Sequence, residues 1–170
     1  MSPASYGHTM SDVPIEVIRS AKRKRTVQAS YVGGRLLVRV PAGLDPGTEA
    51  DLIEQAREKV LRRLSSKGVD LDKRARALAD RYGLPRPVAV EWSSRQMQRW
   101  GSCSPDQGRI RISDRLASMP GWVLDSVLIH ELAHLEIDDH GPGFQTLVNR
   151  YELAERAKGY LIAKTEGRPI

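Results

Sequence analysis

The stretch HELAHLEIDDH, His130–His140, holds three of the four histidines in the chain. His130 and His134 stand four apart in a run whose apolar residues Leu128, Leu132 and Leu135 recur at helical spacing. On a helix that spacing puts two side chains on one face with Cβ atoms about 5–6 Å apart. Two imidazoles so placed reach one zinc ion at about 2.0–2.1 Å from each nitrogen. Glu131 is rotated about 100° around the axis, beside such an ion rather than on it. His140 lies six residues past His134, about 9 Å further along if the helix ran straight. Gly141, Pro142 and Gly143 follow, and a Gly-Pro-Gly run stops a helix and lets the chain turn back. His130, His134 and His140 are therefore expected to ligate one metal ion.

Three protein ligands with a fourth position open is the pattern of a catalytic zinc, whereas structural zinc sites are four-coordinate and cysteine-rich. This chain has one cysteine, Cys103. His-Glu-x-x-His on a helix is the zincin arrangement, with the glutamate as general base toward a metal-bound water. Glu131 takes that role here, and Zn2+ is the expected ion, although imidazoles accept other transition ions. Glu136, Asp138 and Asp139 read as a solvated helix end, with one carboxylate as an alternative to His140 or as its support.

Working outward, Pro120 opens the histidine-bearing helix, which is expected to run to Asp139; a last helix should run from Phe144 to about Lys164. Upstream, VAVEW and GRIRIS read as short strands, with GSCSPDQG a loop before the second. Leu52, Ile53, Ala56, Val60, Leu61 and Leu64 place a helix over 48–66, begun by Asp45 or Thr48. A second helix over 70–82 carries Leu71, Ala75, Leu78 and Ala79 on one side and stops at Gly83. Before these, RTVQASYV and RLLVRV flank Gly33-Gly34 as a β-hairpin, with a third strand near Glu16–Ser20. The order strands, helices, strands, helices predicts an α+β domain. It is expected as one unit over 15–165, after a flexible tail over 1–14.

A single cysteine suits a reducing cytoplasm. The first residues show no signal-peptide pattern, and no apolar run is long enough to span a membrane. The net charge is +6. Residues 1–90 hold 17 Lys and Arg against 10 Asp and Glu, and residues 91–170 hold 10 against 11. The excess thus lies in the first half, a surface that is either simply solvated or suited to a polyanion.

HELAHLEIDDHGPGF, with RWGSCS upstream, RSAKRKRTVQASYVGGRLLVRVPAGL and GRIRISDRLASMPGWVLDSVLIHELAH, resembles the YgjP-like metallopeptidases, relatives of the SprT-like zinc proteases. The likeness runs over about residues 15–160. It implies a zincin-like fold with a sheet packed on the active-site helix, zinc on His130, His134 and His140, and Glu131 as catalytic residue. The chain departs at Gly141, where the family carries serine, and at Gln145, where it carries an aromatic. Around RWGSC, Arg99 is a candidate to bind a substrate carboxylate or phosphate. Trp100 borders the cleft or packs in the core, Gly101 is expected at a turn, and Cys103 reads as a small hydrophobe. Tyr151 is a candidate hydrogen-bond donor to an oxyanion, or a core tyrosine. The expected activity is peptide-bond hydrolysis on a peptide or protein substrate. The alternatives are a metal-dependent nucleotide phosphohydrolase and a nucleic-acid-associated module using the basic N-terminal half.

Overall fold

Gly33 and Gly34 both take positive φ, 57° and 82°, the twist a two-residue hairpin turn demands. They join β2 (Gln28–Val32) to β3 (Arg35–Pro41) antiparallel, while β1 (Ile15–Ser20) adds parallel to the other side of β3. The computed structural model describes residues 13–165, so the expected tail over 1–14 lies almost wholly outside the described residues. The chain divides into two units, Met1–Leu64 and Ser65–Ile170, the boundary falling in the last turn of α1 (Pro46–Lys67). The first unit has its own small core. Leu36, Val38 and Val40 on one face of β3 are fully buried against Ile53, Ala56 and Val60. Asp45 starts α1 by accepting from the backbone N–H groups of Gly47 and Thr48, which would otherwise lack partners.

The second unit begins with α2 (Leu71–Tyr82), capped by Asp70 and closed by Gly83 in the left-handed conformation. Leu71, Ala75, Leu78 and Ala79 form its buried stripe. A second sheet follows in the order β4-β6-β5, from β4 (Ala89–Ser93), β5 (Gly101–Ser104) and β6 (Arg109–Ser113). β6 is central, with Ile110 and Ile112 fully buried; β4 runs parallel to it and β5 antiparallel. The region expected as a loop thus contains a strand. GSCS lacks the β-branched alternation that marks strands, and pairing with β6 overrides that.

This sheet packs on α3 (Gly121–Ala133). Val123, Leu124, Val127, Leu128, Ile129 and Leu132 are all buried, so the helix is apolar nearly all round, as a helix enclosed by protein must be. On Asp125, one of its few polar residues, the guanidinium of Arg74 closes a two-pronged ion pair and also donates to the Gly121 carbonyl, tying α2 to α3. Two expectations need correction. The helix stops at Ala133, with His134 as cap, six residues before Asp139. Leu135 and Glu136 bond back three residues, to Leu132 and Ala133, tightening the chain into a turn. The last helix is two: α4 (Pro142–Val148) and α5 (Ala154–Lys164). At the break, Arg150 donates to the Tyr82 and Gly83 carbonyls at the end of α2, and Tyr151 donates its hydroxyl to the Trp122 carbonyl. Those long-range bonds carry no local signal. No helix among the described residues is long and apolar enough to cross a membrane.

Leu128 is fully buried at the middle of α3. Leu128→Ala is expected to destabilise the protein by about 3 kcal/mol through lost contacts and the cavity left behind, read as a lowered denaturation midpoint.

Candidate metal centre

His130 sits in the last turn of α3 and His134 at its cap, one turn apart on the same side. The tight turn that follows brings His140 back over them. Its Nε2 lies 3.2 Å from Nε2 of His134 and 3.3 Å from Nε2 of His130. Two nitrogens sharing one tetrahedral ion at about 2.0–2.1 Å are themselves about 3.3–3.4 Å apart. The three imidazoles thus fit a metal ion by their own spacing, and among the described residues they are the group able to hold one. The turn also fixes the ring of His134. Its Nδ1–H donates to the Ile137 carbonyl at 3.0 Å, leaving the Nε2 lone pair for the other rings. Of the nearby carboxylates, Asp139 accepts from the Gly141 N–H, Glu136 is exposed, and Asp138 lines the same cleft as the histidines. The bend thus begins at His134 itself, ahead of the glycines.

Beneath all three rings lies Phe144, the one phenylalanine of the chain. It is 1% exposed, with its ring centroid 4.9, 4.4 and 4.7 Å from those of His130, His134 and His140. Sequence reading took it only as the start of a helix. Its place directly after His-Gly-Pro-Gly was the available signal, since α4 starts at Pro142 and turns its first buried residue under the histidines. This apolar floor and the enclosed helix hold His130 neutral. Burial, and then the neighbouring His134 and His140, lower its pKa from 6.5 to about 4, and the neutral imidazole is the ligating form.

Glu131 faces the second sheet and is 6% exposed. Burial raises its pKa to about 8, with Arg99 acting in the opposite direction. A bound cation would lower it again. The RWGSC segment explains how so enclosed a carboxylate fits. Gly101 is in strand β5, not at a turn, and a Cβ there would lie 2.5 Å from Oε1 of Glu131 and 2.7 Å from its Cγ. Only glycine lets the strand approach so closely.

A cleft of about 1110 Å³ opens over the histidines and runs between the Met97–Cys103 segment and the walls formed by α4 and α5. Arg99 lines it and is exposed. Trp100 reaches it from the core, 7% exposed, with the Arg115 guanidinium 3.9 Å above its ring. Cys103 lines it half-buried; burial, then Glu131 and Asp138, raise its thiol to about 11, so it remains a protonated thiol at neutral pH. Tyr151 is placed elsewhere. It is buried and bonded to Trp122, and its ring meets that of Tyr82 edge-on at 5.7 Å.

Residues 23–157 match the family described as YgjP-like, metallopeptidase domain. No curated protein matches the chain. Among solved structures the chain is similar to the metallopeptidase zymogen of Pyrococcus abyssi abylysin. That pair shares 24% identity over 59% of this chain and 100% of the other, with a TM-score of 0.52, a likeness of fold. The metallopeptidase zymogen of Methanocaldococcus jannaschii jannalysin aligns at 17% identity over 57% of this chain and 98% of the other, with a TM-score of 0.49.

A group whose folded-state pKa is raised stabilises the fold below its unfolded value, and that contribution fades as pH climbs through the folded value. In metal-free protein, Glu131 should therefore make the melting temperature fall between about pH 4.5 and about pH 8. Glu131→Gln should remove that part of the pH dependence, as measured by thermal melts of the two proteins in chelator.

Proposed function

The chain belongs to the YgjP-like metallopeptidase family, and from that premise we propose that it is a zinc peptidase in which His130, His134 and His140 hold the ion and Glu131 is the general base. The observation that carries this reading is the convergence of three Nε2 atoms at the spacing of a shared tetrahedral ion. A divalent ion held there supplies Lewis-acid chemistry, acidifying water and polarising a carbonyl. Glu131, adjacent to His130 in sequence and enclosed from solvent, takes the proton of the attacking water and delivers it to the leaving amine nitrogen. Burial lifts this carboxyl to about 8 against the lowering effect of Arg99, toward the range where a group that must both accept and donate works best. Imidazole donors alone admit other ions; zinc is favoured by three ligands with an open fourth position.

The substrate reading follows from the edge of the sheet. β5 is an outer strand, and Gly101, Ser102 and Cys103 line the cleft. The free edge of such a strand can pair with an extended polypeptide, laying a peptide bond across the histidines. Arg99, at the rim, binds a substrate carboxylate. The family match crosses the division between the two units, which supports treating residues 15–165 as one functional domain. A lone half-buried thiol fits a cytoplasmic setting. The nucleotide reading draws no support from the family match. The nucleic-acid reading is weakened because Arg19, Arg35 and Arg57 of the basic half are paired with Glu49, Glu16 and Glu54.

Elemental analysis of protein purified without chelator should find one zinc per chain. Glu131→Gln should keep the zinc and lose about 100- to 10,000-fold in turnover of an unfolded-protein substrate. His134→Ala should lose both metal and activity. Full activity of Glu131→Gln would overturn the assignment of the base. Arg99→Gln should keep zinc and turnover but raise KM for peptides carrying a carboxylate near the scissile bond.

A further inference from the structure

Arg115 stands in the 3-10 turn Asp114–Ser118 that follows β6. Its guanidinium lies flat over Trp100, with the carbon 3.9 Å from the ring centroid. Nη2 donates to the Arg99 carbonyl at 3.0 Å, and Nε donates to Oγ of Ser113 at 3.1 Å. Ser113 is fully buried. Its hydroxyl donates to the Gln96 carbonyl at 3.1 Å, and its backbone N–H donates to the Trp100 carbonyl at 2.8 Å. Gln96 in turn donates its amide to Oγ of Ser102 at 2.6 Å. Residues 96, 99, 100 and 102 are thus fastened by one connected cluster, and 96–100 have no strand or helix of their own to hold them.

The residue enclosed by these fastenings is Gly101, the one whose backbone closes on the Glu131 side chain. A small movement of the segment would open room beside the carboxylate and free it to rotate. We propose that Arg115 is a positioning residue for Glu131: by pinning Arg99 and Trp100 it presses the Gly101 backbone against the carboxylate and holds that carboxylate beside the histidines. Arg115 also lines the cleft, but its role here is exerted through the segment it pins rather than on the reacting atoms. The planar fork suits the task, because one guanidinium stacks on a ring while donating along two edges, which an ammonium cannot do. This inference rests on Glu131 being the base, as proposed above.

The test measures zinc content, melting temperature, kcat and KM on one peptide substrate for wild type, Glu131→Gln, Arg115→Ala and Arg115→Lys. Arg115→Ala should keep its zinc and lose kcat by an order of magnitude or more, up to about a hundredfold for a base displaced by about 1 Å, with KM little changed on a peptide that carries no carboxylate near the scissile bond. Arg115→Lys should fall between, and it decides the matter if the alanine variant does not fold. Added methylguanidinium should restore part of the kcat of Arg115→Ala. Combining Arg115→Ala with Glu131→Gln should cost little beyond Glu131→Gln alone, since the two act as one unit. Wild-type kcat in zinc-loaded Arg115→Ala or Arg115→Lys, a rise in KM alone, or loss of zinc would each overturn the positioning role. Turnover surviving in Glu131→Gln would instead overturn the base assignment beneath it.

Discussion

A carboxylate packed into the apolar surroundings of a buried helix is costly unless a positive charge or a hydrogen-bond donor meets it. That constraint organises the second unit. α3 is packed on nearly every side, yet it carries Glu131 and His130 within its buried surface. The sheet accommodates the carboxylate by bringing a glycine to it, and the turn after α3 accommodates the imidazoles by folding a third histidine over the first two. Both devices leave groups that favour a positive ion: three converging imidazole nitrogens on one side and a buried acid on the other.

The rest of the unit holds these pieces in place with ordinary interactions. The Arg74–Asp125 pair joins α2 to α3, and Arg150 ties the segment between α4 and α5 to the end of α2. Tyr151, considered as a donor to the reaction, serves instead as a tether on Trp122. The cleft walls are thereby built from elements that are each fastened at a distance from the chemistry, as a site requiring close geometric tolerance demands.

Much of this was legible in the residue order, and the reasons for success and failure differ by element. α1, α2 and the Gly33-Gly34 hairpin announce themselves because their caps and turn residues sit next to the periodic runs they bound. The histidine spacing declares the pairing of His130 with His134 for the same reason: one helical turn is a local fact. What stayed hidden is non-local. β5 exists because β6 and Glu131 lie alongside it, not because GSCS favours extended backbone. The early end of α3 follows from a bond between the His134 ring and the Ile137 carbonyl, which no helix-breaking residue marks. The gap between α4 and α5 is set by partners 29 and 68 positions away. Phe144 escaped notice because an aromatic residue after Gly-Pro-Gly looks like any first core residue of a helix.

The shared aromatic floor has a further meaning. Since one ring touches all three imidazoles, a change at position 144 reaches every member of the trio at once. His140 is the exposed member of the trio and Phe144 is buried, so solvent meets the cluster at His140 while packing closes it at the shared ring.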